Sequence, residues 1–217
     1  MVDAGARHRL LAILAADAVG YSRLMASDET AALTALDAAR EVFRSQTTFN
    51  QGRIVDTAGD SVLAVFETAT GAVTAALAIQ AEINASAGTF PDDRQMRFRI
   101  GVHLGDVIEK TDGTVYGDGV NIAARLQCLA EPGGVTVSES IQVAVRGRIA
   151  ATFVDIGQQQ SRTSRSPSVL TGLPSVLLPP VLTGRRTAMP CTTSLRSRYC
   201  PSRTWAATRT RSTSATG

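Results

Sequence analysis

The feature that most constrains the fold is an uninterrupted apolar run, RLLAILAAD, which occupies residues 9–17 and ends at Asp17. A short run that is apolar at almost every position, without polar alternation, is typical of a buried β-strand. Helical spacing then begins at Ser22, which we expect to be the N-cap, and continues to about Arg44. The beginning of the chain therefore predicts a buried strand followed by a helix.

The patterns that follow complete a mixed arrangement. Two strands around the turn TAGD, an alanine-rich helix and an alternating strand come next, and a helix, a strand, a helix and a last strand follow them. The order β-α-β-β-α-β, with C-terminal additions, predicts a ferredoxin-like fold of the α/β (α+β) class, in which an antiparallel sheet carries its helices on one face. The segments are 52–66, 69–85, 96–109, 117–127, 135–138, a helix from Ser138, and 151–157.

The composition changes abruptly at residue 161. Residues 1–160 contain 13 Lys and Arg against all 19 Asp and Glu, whereas residues 161–217 contain nine Arg and no acidic residue. Six of the eight prolines fall in the last 57 residues, of which 30 are Ser, Thr or Arg. The chain therefore divides into a domain over 1–160 and a low-complexity tail over 161–217, for which we expect no regular structure.

Charge, hydropathy and cysteine usage exclude several function classes. The basic residues are concentrated in the tail, whose aromatic residues are Tyr199 and Trp205, so we expect no nucleic-acid binding. No apolar run is long enough to span a bilayer, and no signal-peptide cleavage site follows residues 8–17, so we expect no membrane segment and a cytoplasmic protein. The three cysteines offer neither a disulfide framework nor metal-ligand spacing.

Two carboxylates are placed where they could hold metal ions. Asp17 ends the first strand just before a helix, and Asp60 lies in the turn between two strands of the same predicted sheet. Mg²⁺ prefers oxygen ligands, and the backbone N–H groups of Gly20, Tyr21 and Ser22 would meet a phosphate at the helix N-terminus. Each aspartate alone would more often cap a turn. As a pair beside this helix, they favour a metal and phosphate site.

The stretch GDGVNIAARLQ, at residues 117–127, predicts an amphipathic helix with two polar residues on one stripe. Asn121 and Arg125 are four residues apart and therefore project from the same side. An Arg fork can brace a phosphoryl group, and an Asn can orient a ribose. On spacing alone, the more common interpretation is structural: Asn121 would lie near the helix N-terminus and Arg125 would be solvated.

Four motifs in order make the sequence recognisable. LAADAVGYSRLM, GRIVDTAGDSVLAVF, RIGVHLGDVI and YGDGVNIAARLQ together resemble the class III nucleotidyl cyclase catalytic domain, in particular bacterial adenylate cyclases, over roughly residues 8–157. The resemblance implies that Asp17 and Asp60 bind metal, with the Ala18 carbonyl as an added ligand. It also implies that Asn121 and Arg125 stabilise the transition state.

The same resemblance implies an activity and an assembly. The expected enzyme is an adenylate cyclase that uses two Mg²⁺ or Mn²⁺ ions to convert ATP to 3′,5′-cyclic AMP and pyrophosphate. In this family two domains pair head to tail, so the active site of a homodimer takes Asp17 and Asp60 from one subunit and Asn121 and Arg125 from the other. A monomer would then be inactive.

The base-recognition positions depart from the adenylate cyclase pattern. Where many adenylate cyclases carry a Lys and an Asp, this chain has Asp56 and Thr114. An inverted pair could read adenine, with Asp56 accepting from N6–H and Thr114 donating to N1. Asp56 could equally accept from guanine N1–H and N2–H, as in a guanylate cyclase. A third alternative is a non-catalytic cyclase-fold module that dimerises and binds nucleotide.

The C-terminal end also departs from the family. After FVDIGQQQ the family continues with a Lys-containing turn and a last strand, often close to VKNIAxPVRV. Residues 161–171, SRTSRSPSVLT, can be encoded by DNA that reads V-K-N-I-A-Q-P-V-R-V-D after a one-base shift. We therefore expect an out-of-frame tail from about Ser161. The catalytic domain over 1–160 would then be C-terminally incomplete, with an unpaired strand edge and impaired activity.

Overall fold

The computed structural model describes residues 6–87 and 95–156 with their side chains, and residues 159–162, 167–170 and 174–176 as backbone strands. The elements in chain order are β1 (Arg7–Ala18), α1 (Tyr21–Ser27), α2 (Glu29–Phe49), β2 (Gly52–Asp56), β3 (Ser61–Phe66), α3 (Ala69–Ala87), β4 (Phe98–Glu109), β5 (Val115–Tyr116), α4 (Asp118–Leu129), β6 (Val135–Val137), α5 (Glu139–Val145), β7 (Phe153–Asp155), β8 (Gln159–Arg162), β9 (Pro167–Leu170) and β10 (Pro174–Val176).

The main sheet is built around β1. Its strand order is β2-β3-β1-β4-β6-β10-β7, and β5 pairs with β4 outside this path. β1 is antiparallel to both β3 and β4, and β2 is antiparallel to β3, whereas β4 and β6 are parallel. The elements from β1 to β6 therefore contain the predicted β-α-β-β-α-β unit, and the sheet is mostly antiparallel.

Both faces of β1 are buried, which explains why its sequence is apolar without alternation. Successive strand residues point to opposite faces, so the two sets of alternate side chains enter two separate cores. α2, α3 and α5 cover one face, and α4 covers the other. The prediction of helices on one face is therefore wrong for α4. The first core contains Ala12, Leu14 and Ala16 of β1, and the second contains Leu11, Ile13 and Ala15.

α4 approaches the sheet closely because β4 has a glycine beneath it. A Cβ atom at Gly101 would lie 2.2 Å from the backbone N of Gln127 and 2.3 Å from the carbonyl O of Ala123. No larger side chain fits this contact between a strand and a helix backbone. The position of α4, and of every side chain that it carries, is thus fixed by direct contact with β4.

The predicted single helix from Ser22 to Arg44 is two helices. Asp28 has an extended backbone, with φ −157° and ψ 96°, and ends α1. Its carboxylate accepts a hydrogen bond from the N–H of Ala31 at 3.0 Å and so caps α2. The N-cap of α1 is Gly20, in the left-handed region at φ 69°, and not Ser22, which lies inside the helix.

The C-terminal strands alter one expectation about the tail. β10 lies between β6 and β7 and pairs with both, so β6 has neighbours on its two sides. The predicted unpaired edge at this position is therefore wrong, since a segment of the tail occupies it. β8 and β9 form a separate two-stranded sheet. The predicted absence of regular structure does not hold for these short strands, and the remaining tail lies outside the described residues.

Candidate active site

The two carboxylates predicted to bind metal lie at neighbouring strand ends. Asp17 of β1 is directly opposite Ser61 of β3, the residue that follows Asp60. The N–H of Ala18 donates a hydrogen bond to the carbonyl of Asp60 at 3.2 Å. Asp17 has the same alternation as Ile13 and Ala15, so it belongs to the face that α4 covers.

The turn that carries Asp60 is held from two sides. Nη2 of Arg40, on α2, donates to the carbonyl of Gly59 at 2.7 Å. The hydroxyl of Ser61 donates to the carbonyl of Ala58 at 2.7 Å. Gly59 has φ 62°, a conformation that favours glycine. These contacts fix the path of the backbone at a predicted metal ligand.

The predicted phosphate-binding backbone lies where β1 leaves the sheet. Gly20 caps α1, and Tyr21 and Ser22 form its first turn. The Gly20 carbonyl accepts the N–H groups of Arg23 at 3.0 Å and Leu24 at 3.2 Å. The first turn of α1 therefore closely follows Asp17 and Ala18 in the chain.

Asn121 and Arg125 project from α4 on the same face of the sheet as Asp17. The buried side of this helix includes Val120 and Ala124, and both Asn121 and Arg125 are half-buried. A narrow cleft lies between α4 and the β2–β3 turn, with a volume of about 10 Å³. This volume holds about one water molecule, so this cleft does not accommodate a nucleoside triphosphate. Its lining includes Asp56 but not Asp17, Asp60, Asn121 or Arg125.

A larger apolar cavity of about 380 Å³ lies elsewhere, on the α2 side of the sheet. Its lining includes Ala35 and Ala39 of α2, Ile83 of α3 and Met96, and none of the predicted site residues. Size alone would favour it as the binding site. The predicted site residues Asp17, Asn121 and Arg125 lie instead on the α4 face.

A β-bulge turns Asp56 toward the α4 face. The register between β2 and β3 shifts between Ile54 and Asp56, so that Asp56 pairs with Leu63. Directly opposite residues of antiparallel strands share a face, and Leu63 belongs to the core beneath α4. Asp56 accordingly lines the narrow cleft. Bulges commonly redirect a side chain beside an active site.

The backbone of Thr114 is hydrogen-bonded within its own hairpin. Its N–H donates to Oδ1 of Asp112 at 2.9 Å, and its carbonyl accepts the N–H of Lys110 at 3.0 Å. The pKa of Asp112 is lowered, first by the Thr114 hydroxyl and then by the Thr114 backbone N–H. Both backbone polar groups of Thr114 are therefore used within its own hairpin.

A partly buried histidine lies beneath the start of α4. His103 is opposite Ile13, and a Cβ at Gly105 would lie 2.8 Å from its Nε2 and 3.4 Å from the Cα of Gly119. Burial lowers the pKa of His103 to about 4. The ring is therefore neutral near pH 7 and acts as an uncharged packing group beside the site.

Comparison with known proteins identifies the family. Residues 5–167 match the adenylate and guanylate cyclase catalytic domain family. The chain belongs to this family. A curated relative in Rhizobium meliloti (strain 1021), named "Putative adenylate cyclase 3", is 44% identical over 168 residues, which are 77% of this chain and 28% of the relative. An adenylate cyclase of Glutamicibacter nicotianae is 42% identical over 84 residues, or 39% of this chain and 19% of the relative.

Solved structures confirm the predicted fold class. An adenylate/guanylate cyclase/hydrolase from Silicibacter pomeroyi has a TM-score of 0.72 and 36% sequence identity, and the match covers 80% of this chain and 99% of that one. The adenylyl cyclase CyaB from P. aeruginosa has a TM-score of 0.68 at 18% identity, with 82% and 99% covered. The chain spans less than a third of the length of the curated relatives that it matches.

The sequence analysis of this cyclase domain missed one cation at the site. Arg99 of β4 is directly opposite Asp17, so the two side chains stand on the same face of adjacent strands. The Nε atom of Arg99 is buried and has no hydrogen-bond partner among the described residues. The signal was present in the alternation of RFRIGVH, which places Arg99 and Gly101 on one face. Only the strand pairing identifies the neighbour of Arg99.

Among the described residues, the cyclase domain has no cluster of three or more His, Cys, Asp or Glu side chains that could hold a metal. The described helices also include none with the length and hydropathy to cross a membrane. The predicted metal ligands are the carboxylates of Asp17 and Asp60 and the carbonyl of Ala18. Such a set is all oxygen, which matches the preference of Mg²⁺ and Mn²⁺.

Proposed function

We propose that this domain is an adenylate cyclase that converts ATP to 3′,5′-cyclic AMP and pyrophosphate, for intracellular signalling, at the interface of a head-to-tail homodimer. One observation carries the proposal. Asp17 and Asp60 lie at adjoining strand ends, and Asp17 belongs to the face that also bears Asn121 and Arg125, yet the cleft described on this face has a volume of only about 10 Å³. A second copy of the chain would complete a site of nucleotide size.

The donor set supports two divalent ions, Mg²⁺ or Mn²⁺, per site. Asp17 and Asp60 would hold them, with the Ala18 carbonyl as a further ligand and the substrate phosphates completing the coordination. When bound, such ions would lower the pKa of the ribose 3′-hydroxyl and neutralise the triphosphate. Two carboxylates without substrate form an incomplete shell, which fits a metal that arrives with its nucleotide.

The remaining side chains would position and stabilise the nucleotide. Asn121 would orient the ribose so that its 3′-oxygen lies in line with the α-phosphorus. Arg125 would donate to the α-phosphoryl oxygens, where negative charge increases in the transition state. Arg99, with its buried Nε opposite Asp17, would donate to the β- and γ-phosphates. Gly20, Tyr21 and Ser22 would contribute backbone N–H groups to the same phosphates.

The base preference has two candidate answers. ATP is supported by relatives named as adenylate cyclases, with Asp56 as the acceptor for adenine N6–H. GTP is supported by the two oxygens of the Asp56 carboxylate, which could accept from both guanine donors, N1–H and N2–H. We place ATP first, because 44% identity over 77% of the chain is the broader observation.

The test is cyclic-nucleotide formation by the purified full chain with Mn²⁺ and either ATP or GTP. Asp60→Ala should abolish product, while Glu41→Ala, which changes an exposed carboxylate on α2 paired with Arg44, should keep wild-type rates. Cyclic GMP from GTP with no cyclic AMP from ATP would establish the second candidate. A folded dimer that forms neither product would establish a non-catalytic, nucleotide-binding module and overturn the proposal.

A further inference from the structure

Two arginines hold one carboxylate near the proposed base-recognition residues. Glu109, at the end of β4, accepts from Nη1 of Arg9 at 3.0 Å and from Nη2 of Arg53 at 2.5 Å. Arg9 and then Arg53 lower the pKa of Glu109 by donating these hydrogen bonds. The Glu109 side chain is only 19% exposed, so solvent screens the two contacts less than it would on an open surface.

Arg53 makes one contact that Arg9 does not. Its Nη1 donates to the carbonyl of Gly113 at 2.8 Å, in the turn between β4 and β5. Arg9 instead extends to Glu67 with Nη2, at 2.7 and 2.8 Å. Arg53 is therefore bonded to both the strand and the turn of the β4–β5 hairpin, whereas Arg9 is bonded to the strand alone.

These contacts join the two elements that carry the proposed base-recognition pair. Arg53 precedes Asp56 by three residues on β2, and Gly113 directly precedes Thr114. Within the described part of the chain, the hydrogen bonds from β2 to this hairpin are the two that Arg53 donates. The sheet fixes β2 and β4 relative to each other through β3 and β1, and Arg53 adds the direct link between β2 and the turn of the hairpin.

The strand pairing of the hairpin is short. β5 pairs with β4 through two residue pairs, Ile108 with Tyr116 and Glu109 with Val115. The turn is exposed at Thr111 and Asp112, and Gly113 is in the left-handed region at φ 80°. The turn is closed by hydrogen bonds of its own, from the Gly113 N–H to the Lys110 carbonyl at 2.9 Å and from the Lys110 N–H to the Thr114 carbonyl at 3.0 Å. These bonds lie within the hairpin, so Arg53 is what ties the tip to β2.

We propose that Arg53 is a positioning residue for base selection, a role that rests on the proposed nucleotidyl cyclase function. It touches no substrate. By holding the Gly113 carbonyl and the Glu109 carboxylate at once, it fixes the distance between Asp56 and Thr114. Discrimination between purines depends on hydrogen-bonding groups that keep a fixed geometry, so loss of this double contact lowers selectivity before it lowers turnover.

The experiment compares Arg53→Met with Arg9→Met in the full chain. Both variants remove one cation from Glu109, and only Arg53→Met releases the hairpin tip. We expect Arg53→Met to reduce the ratio of kcat/KM between the preferred and the other purine nucleotide by about tenfold or more, chiefly through a higher KM for the preferred one. Arg9→Met should leave this ratio within about twofold of wild type.

A conservative variant and a binding measurement keep the result interpretable. Arg53→Lys keeps the charge beside Glu109 but has no planar fork to hold two acceptors, so it should give an intermediate ratio. It also replaces Arg53→Met if that variant does not fold. The ratio of Kd values for ATP and GTP, measured by calorimetry with Ca²⁺, should change in parallel with the kinetic ratio.

Three outcomes separate this role from the proposed function. An unchanged ratio in folded Arg53→Met, or an equal change in Arg9→Met, would overturn the positioning role and indicate a general stabilising network. No product from wild-type protein would overturn the proposed activity. The Kd ratios of the same variants would then still decide whether Arg53 sets base selection.

Discussion

Asp56 lies opposite Leu63, and not opposite Val62, because β2 carries a bulge between Ile54 and Asp56. In a regular ladder Val55 would lie opposite Leu63, and the alternation would turn Asp56 to the face packed by α2 and α3. A carboxylate on that face would be surrounded by apolar side chains at a large desolvation cost. The bulge therefore makes Asp56 available to a ligand on the α4 face.

Asp56→Asn tests the acceptor role of this carboxylate. An amide of the same size removes the charge and adds an N–H donor, so a base that presents donors to Asp56 would meet a mismatched group. We expect kcat/KM for the preferred nucleotide to fall by about tenfold to a hundredfold. Steady-state kinetics with both nucleotides measures this effect. Equal kcat/KM values for the Asp56→Asn variant and wild-type protein would show that residue 56 does not contact the base.

The neutral His103 predicts a pH dependence of stability. Its pKa in the folded state is about 4, below the ordinary value of 6.5, because the ring is buried. Between these two values the unfolded chain binds a proton that the folded chain does not, so the free energy of unfolding should fall as the pH drops from about 6.5 to 4. Below about pH 4, His103 is protonated in both states and lowers the free energy of unfolding no further.

Denaturant unfolding of wild type and His103→Gln, at several pH values, isolates the contribution of His103. The difference in unfolding free energy between the two proteins should shift in favour of the variant as the pH falls from about 7 to about 4.5, since glutamine does not titrate. Carboxylates common to both proteins cancel in this comparison. A difference that stays constant over the range would mean that the ring is solvated in the folded state.

Much of the fold was predictable because the strands and helices of this domain have clear patterns. The run at 9–17 and the alternation of RFRIGVH indicate strands, and α3 and α4 begin within two residues of their predicted starts. The break between α1 and α2 at Asp28 was missed because the helical spacing of apolar residues continues through this position. The carboxylate cap on Ala31 is a local hydrogen bond that hydropathy does not report.

The main error of the sequence analysis was to place α4 on the same face of the sheet as the other helices. The signal was the absence of alternation in β1, since a strand that is apolar on both sides requires cover on both. Gly101 is the second signal, because its lack of a side chain allows the backbone contact with α4. The bulge at Val55 and the pairing of Arg99 with Asp17 depend on strand register, which is a tertiary property.

The tail gives a prediction about the encoding DNA. We propose that residues 161–217 are an out-of-frame product, and a one-base shift near codon 161 should restore V-K-N-I-A-Q-P-V-R-V-D. A chain with this restored segment should show a kcat/KM at least about tenfold higher, because its Lys adds a cation for the triphosphate. The matched control replaces that Lys with Met. A DNA sequence without this continuation in any frame would contradict the proposal.

The head-to-tail assembly makes a prediction about mixtures of inactive variants. Asp60→Ala removes a carboxylate that would bind metal, and Arg125→Ala removes the cation that would stabilise the transition state. In a homodimer of either variant, both active sites should therefore be defective. A mixed dimer would have one site with both defects and one with none. Because random pairing makes half of the dimers mixed, an equimolar mixture should recover about a quarter of the wild-type rate.

The mixture is measured by cyclic-nucleotide formation after co-refolding or prolonged incubation of the two variants. Asp60→Ala mixed with Asp17→Ala is the matched control, because both changes affect the same half of the site and no intact site can form. Recovery in the first mixture and none in the second requires that the two halves come from different chains. If neither mixture recovers although the chains exchange, the carboxylates and Arg125 act within one chain, and the head-to-tail assembly is not needed for the reaction.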